Sequence, residues 1–172
     1  MNLLDTSLKD VYIISNDPYA DNRGTFYKYY HSDSFSSVFN GKFVESFYSV
    51  SHLNVLRGMH FQLSPFSHWK LVTVFSGCIL DVVVNIDKDS EDFGRFLPFY
   101  LKAAHQSLLI GPSYAHGFLS LEDSSVVNYL TSSVYSQEHD SGIHWNSFGF
   151  DWGGISPIIS KRDSTFPPLM DI

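Results

Sequence analysis

Arg57 and His60 stand three positions apart in VLRGMHFQL (55–63), an otherwise apolar run. Burying a guanidinium and an imidazole on such a strand is unfavourable unless each has a partner or a ligand. An imidazole titrates at about pH 6.5 and can take a proton at neutral pH. A guanidinium carries a fixed fork of donors that suits a diphosphate. On a regular strand Arg57, Met59 and Phe61 share one face, and Gly58, His60 and Gln62 the other. Arg57 and His60 then diverge unless a bulge intervenes, and Gly58 is the position for one. Four more places carry the same kind of side chain: His116 in PSYAHGF (112–118), Tyr129, Lys70, and the charged SKRD of 160–163. Singly, each has an ordinary explanation: a core histidine bonded to a carbonyl, a tyrosine with a wet hydroxyl, a lysine snorkelling from a strand end, a solvated turn. Their combination is what asks for a site.

The elements that must position these residues read as strands. Apolar or alternating runs occur at 11–15, 25–30, 42–51, 55–63, 70–86, 95–101, 106–111, 116–121 and 125–135, punctuated by Gly, Pro, Asn or Asp. Within 70–86 the Ser76–Gly77 pair reads as a hairpin turn between two strands. Residues 16–24 read as a polar loop. HSDSFSSVFN (31–40) is the best helix candidate, capped by Ser32 or Asp33, with Phe35, Val38 and Phe39 on one face. Beyond residue 136 the chain is rich in Gly, Pro and Trp and too apolar for a disordered tail, so it is expected to wrap back over the body. Many short strands with turn signals predict an all-β sandwich or small jelly-roll barrel. No repeat or linker divides the 172 residues, which predicts one domain over 1–172.

Composition narrows the function. Aromatic residues make up 16% of the chain, with 15 Phe and 10 Tyr, and these favour a pleated, half-buried surface. A net charge of −7 repels nucleic acid and anionic membranes, so an anionic ligand needs a local pocket of Arg and Lys. The single Cys78 excludes an internal disulfide framework and fits a reducing compartment. MNLLDTSLKD has no basic stretch leading into an apolar core, and no apolar run reaches the length of a membrane span. The expectation is a soluble, cytoplasmic domain.

DNRGTF (21–26), LRGMHFQ (56–62), YAHGF (114–118), GIHWN (142–146) and ISKRD (159–163) together resemble the dTDP-4-dehydrorhamnose 3,5-epimerase family, in order and over essentially the whole chain. The resemblance implies a cupin jelly roll that acts, without metal or other cofactor, on nucleotide-linked 4-keto-6-deoxysugars in bacterial surface-polysaccharide synthesis, as a homodimer. By the same resemblance His60 is the base and Asp163 the carboxylate that orients its ring. Tyr129 is the acid on the opposite face, and Lys70 supports the developing oxyanion. Arg57 and His116 line the substrate pocket, Arg57 as the diphosphate ligand. Arg23, Phe26, Lys28, Glu45, Phe47 and Gln62 are the further substrate-binding positions that the resemblance implies.

Several of these positions depart from the family pattern. Glu45 stands where Gln is usual, Phe47 where Asn is usual, and Lys28 where a glutamate is usual. Lysine only donates, whereas a carboxylate accepts from thymine N3–H. Lys28 with Glu45 therefore suits cytosine better than thymine, and both a CDP- and a dTDP-sugar stay open. The structural alternative is an exposed Lys28–Glu45 ion pair. Leu130 stands where lysine is common and, with Phe47, is expected to change the polarity of the sugar side. Epimerisation at C3 alone and at both C3 and C5 stay open.

Other classes fit less well. A metal cupin needs His-x-His with a later carboxylate and a distant histidine. Here HFQ lacks the second His, and His31, His52, His68, His105, His139 and His144 show no ligand spacing. A sugar 3,4-ketoisomerase of the same superfamily is the nearest enzymatic alternative. A non-catalytic sugar-binding cupin leaves the retention of His60, Asp163, Tyr129 and Lys70 unexplained.

Overall fold

The computed structural model describes residues 2–15, 17–103 and 106–172; Asn16, at the start of the expected polar loop, and His105 lie outside the described residues. Fourteen strands follow one another among the described residues. They are β1 (Asn2–Asp5), β2 (Val11–Ser15), β3 (Tyr19–Asp21), β4 (Gly24–Phe26), β5 (Glu45–Ser51), β6 (Val55–Gln62) and β7 (Lys70–Ser76). Then come β8 (Cys78–Asn85), β9 (Phe96–Lys102), β10 (Gln106–Ile110), β11 (Tyr114–Ser120), β12 (Ser125–Thr131), β13 (Asp140–Gly142) and β14 (Ile158–Ile159).

Two six-stranded sheets pack face to face as a jelly roll, as the many short strands predict. The first runs β1-β2-β10-β7-β12-β5 and the second β13-β6-β11-β8-β9, with β14 pairing parallel to β6. Strand alternation sorts the side chains. Val72 and Val74 of β7, Ile79 and Val83 of β8, Phe118 of β11 and Val127 of β12 meet between the sheets. Leu71 and Leu130 of the same strands point outward, beneath Phe35 and the aromatic segment that follows it. Val82, Val84 and Leu119 point outward from the second sheet and are covered by Phe148, Trp152 and Leu169. The segment after residue 136 thus wraps over the body, as its apolar content predicts.

Four local expectations need correction. Ser76–Gly77 is not a hairpin turn, because β7 pairs β10 and β12 while β8 pairs β11 and β9. Gly77, at φ +80°, carries the chain from one sheet to the other. Both edges of each strand are taken by distant partners, which local periodicity cannot register. The expected helix over 31–40 is a single 3-10 turn at Ser32–Phe35, with no side-chain cap. Contacts of Phe35, Phe39 and Phe43 with one another and with Tyr30 and Trp69 decide its shape in place of helical propensity. The strand expected at 25–30 ends at Phe26, and the expected loop before it contains its partner, since β3 and β4 form an exposed two-stranded ribbon. Finally, Leu130 faces the outer cluster and not the sugar side.

Candidate active site

The bulge expected at Gly58 is present, and it builds the site. His60 pairs with His116 and Arg57 with Phe118, so the β6 span from Arg57 to His60 is one residue longer than the β11 span from His116 to Phe118. The extra residue restores the alternation that a regular strand would break. Leu56, Met59 and Phe61 join the outer cluster, while Arg57, His60 and Gln62 line one cavity. Gly58 has φ +137°, and a Cβ there would lie 2.5 Å from the Gly117 Cα, so the close approach of β6 and β11 needs both glycines.

That cavity, of about 340 Å³, opens between the sheets. Glu45, Phe47 and Ser49 of β5, Lys70 of β7 and Tyr129 of β12 line one side. Arg57, His60 and Gln62 of β6 and His116 of β11 line the other, with Asp140 and Arg162 also in the wall. Asp163 stands behind His60, its Oδ1 3.0 Å from Nε2. Its other oxygen accepts the Gly58 amide at 3.1 Å. Burial pushes the Asp163 carboxyl up, but the adjacent His60 ring, the Gly58 amide and Ser160 outweigh it and hold the group well below the usual carboxylate range.

Tyr129 is buried and stacks on Phe47 at 4.9 Å between ring centroids. Burial pushes its hydroxyl well above the ordinary value, so it remains a neutral proton donor. Burial brings the Lys70 ammonium down to about 8, against the pull of Asp81 and Asp140. His116 Nε2 donates to Asp81 Oδ2 at 2.6 Å deep in the second sheet. Arg57 is held by its Nε donating to Ser51 Oγ at 3.0 Å and its terminal nitrogen donating to the Val50 carbonyl at 3.2 Å. The Gln62 amide nitrogen donates to the Phe66 and Val134 carbonyls, and its oxygen accepts the Ser136 amide, which fixes its orientation.

Most of the expected site residues therefore converge. His60, Tyr129, Lys70, Arg57, His116, Glu45, Phe47 and Gln62 line the cavity, and Asp163 backs His60. Arg23 and Phe26 do not join them. They lie on the exposed β3–β4 ribbon, where Arg23 pairs with Asp21 at 2.6 Å, and Lys28 lies just beyond it, exposed and outside the cavity wall. A local sequence motif cannot say that this ribbon stands off its own chain's body. Glu45, in the cavity wall, uses one oxygen to accept the Tyr135 amide at 2.8 Å, and Lys28 is not among its hydrogen-bond partners. The site also holds residues that sequence reasoning left without a role: Asp81, His68 and Arg162. Asp81 did carry a signal, as the one acid in the apolar run ILDVVV.

The jelly roll and a cavity walled by a His–carboxylate pair, a buried tyrosine and a half-buried lysine define a cupin-type barrel with an acid–base pocket. More narrowly, the family model for dTDP-4-dehydrorhamnose 3,5-epimerase matches residues 5–171, and the chain belongs to that family. The dTDP-4-dehydrorhamnose 3,5-epimerase of Escherichia coli K12 is 37% identical over 169 residues, covering 95% of this chain and 91% of the relative. The dTDP-6-deoxy-D-glucose-3,5-epimerase of Legionella pneumophila, solved with dTDP-4-keto-L-rhamnose, superposes with a TM-score of 0.94 at 29% identity, covering 99% of this chain and 94% of that one. A 3'-monoepimerase of Streptomyces bikiniensis, solved with dTDP-quinovose, superposes with a TM-score of 0.90 at 27% identity, covering 96% and 86%.

Proposed function

We propose that the protein is an isomerase that epimerises a nucleotide-linked 4-keto-6-deoxyhexose by removing and returning a proton next to the ketone. The observation that carries this reading is the convergence on one cavity of the His60–Asp163 pair, buried Tyr129 and half-buried Lys70. A hydrogen on C3 or C5 is acidified by the C4 ketone, and its removal leaves an enolate. His60 takes that proton, and Asp163 orients the ring and stabilises the imidazolium that forms. The Lys70 ammonium supports the negative oxygen at C4, in a site where burial strengthens the interaction. Tyr129, kept neutral by burial, returns a proton to the opposite face of the carbon. Arg57, pre-oriented by Ser51 and Val50, takes the diphosphate.

Arg23, Phe26 and Lys28 lie outside this chain's own cavity, and a homodimer in which each ribbon enters the partner's cavity would bring them to the nucleotide. In that arrangement Lys28 and Glu45 favour a CDP-sugar over a dTDP-sugar, since lysine donates and cytosine N3 accepts. Among the described residues no helix is long and apolar enough to cross a membrane. The low cysteine count supports cytoplasmic synthesis of a deoxysugar precursor for surface polysaccharide.

Incubation in D2O with CDP- and dTDP-4-keto-6-deoxyglucose, read by NMR, tests the assignment. Deuterium at C3 alone marks a 3-epimerase, and deuterium at C3 and C5 a 3,5-epimerase. The faster nucleotide reads the base preference, and Lys28→Glu should shift that preference toward dTDP. No exchange with either substrate would overturn the epimerase reading and reopen the ketoisomerase and sugar-binding alternatives.

A further inference from the structure

We propose that Arg162 is a positioning residue: it competes with Asp163 for Nε2 of His60 and thereby decides which ring nitrogen of the base carries the proton. Arg162 places a terminal nitrogen 2.8 Å from His60 Nε2, and Asp163 Oδ1 lies 3.0 Å from the same atom. A guanidinium only donates and an ionised carboxylate only accepts. One imidazole nitrogen carries either a lone pair or a hydrogen, so it satisfies one of these neighbours at a time. Asp163 loses little when Arg162 takes Nε2, because Oδ1 also accepts Arg162 Nε–H at 3.2 Å and Oδ2 accepts the Gly58 amide. Arg162 is anchored for this contact by an ion pair with Asp140 and by the Phe166 ring, 5.4 Å from its guanidinium carbon.

The consequence falls on Nδ1, which makes no hydrogen bond among the described residues and is the nitrogen left for substrate. When Arg162 donates to Nε2, the neutral ring has its proton on Nδ1 and has no lone pair to offer a C–H. When Nε2–H instead donates to Asp163, the lone pair moves to Nδ1 and the ring is a base. Proton abstraction therefore requires the Arg162 terminal nitrogen to leave Nε2, while its Nε can stay on Asp163. Arg162 lines the cavity and its side chain is half exposed, so it has room to swing. The other groups around the ring are His116 across β11, Lys70 of β7 and Asp81 of β8 behind His116, Asp140 of β13, and Phe166 edge-on at 5.8 Å. Among the described residues none of these hydrogen-bonds to Nε2, so Arg162 is the cation that acts on it directly.

The kinetic part of this inference rests on the epimerase reading; the spectroscopic part does not. Full-length protein labelled with 15N-histidine, in alkaline buffer where imidazoles are neutral, reports the tautomer of His60, assigned by its loss in H60N. Without ligand, wild type should carry the His60 proton on Nδ1, and R162M, which keeps the stem against Phe166, should carry it on Nε2. In parallel, the acid limb of kcat/KM should move up by roughly half to one pH unit in R162M, because a cation no longer opposes imidazolium formation. R162K, which keeps the charge, should leave that limb in place. A merely structural role would lower activity and move neither readout. An Nε2–H tautomer in unliganded wild type overturns the proposal even if R162M fails to fold, and so does an acid limb that R162M leaves unmoved.

Discussion

The histidines of two histidine–aspartate pairs lie on neighbouring strands of one sheet, and the two pairs are built differently. In the pair of His60 and Asp163 the histidine side chain is 28% exposed and the aspartate 5%, whereas His116 and Asp81 are at 4% and 0%. Burial is the largest influence on His116 and holds it in the neutral form, with Asp81 pulling the other way. It can present a fixed ring to a ligand but is poorly placed to gain and lose a charge. His60 opens to the cavity, and its aspartate arrives from a turn 103 residues further along the chain. The same two residue types thus give one ring that is open to the cavity and solvent and one that is fixed, almost fully buried, in the cavity wall.

The comparison can be broken most directly by exchanging the treatment of the two pairs. H60N should lower solvent-deuterium exchange into the substrate roughly 100- to 10,000-fold, the usual worth of a general base, with little change in melting temperature. H116N should instead weaken substrate binding and retain most of the exchange at saturation. If H116N stops exchange as completely as H60N, the division of labour is wrong.

Lys70 sharpens the comparison, since it faces both pairs. K70M should cost roughly 100- to 1,000-fold in turnover, the scale of a lost oxyanion donor. In the proposed mechanism its ammonium stays charged, and burial brings its pKa down to about 8. Activity should therefore hold below that pH and fall as pH rises through it, and K70R should remove the alkaline limb because a guanidinium stays protonated. The smallest kinetic effect is expected at the buried pair. D81N should destabilise the fold by about 1 to 3 kcal/mol, measured by denaturant titration, through a poorly matched buried hydrogen bond. Its turnover should remain well above that of D163N.

Much of this site was legible because polar residues in apolar runs are costly and announce themselves. Arg57, His60 and the bulge at Gly58 could be read from nine residues, and the ISKRD motif pointed to Asp163. Asp81 was open to the same reasoning, since it sits at the centre of ILDVVV, yet no motif drew the eye to it. Arg162 could not be assigned from its motif, because its role follows from a distance to a ring more than a hundred positions away. Leu130 misled for a related reason. It follows a cavity residue directly, and adjacent residues on a strand face opposite ways, so it belongs to the outer cluster beneath Phe35.

By itself the sequence determined the strand content, the bulge, the chemical types available to the site and the family. All of these depend on period, composition and local spacing. Only the tertiary structure decided that β7 and β8 part company at Gly77 and that the β3–β4 ribbon stands off the body. Only it decided that one aspartate serves an open histidine and another a buried one. Which strands become neighbours is settled by competition among pairings distant in the chain, and the polarity around a titratable group by everything that packs against it. Neither quantity is a local property of the chain.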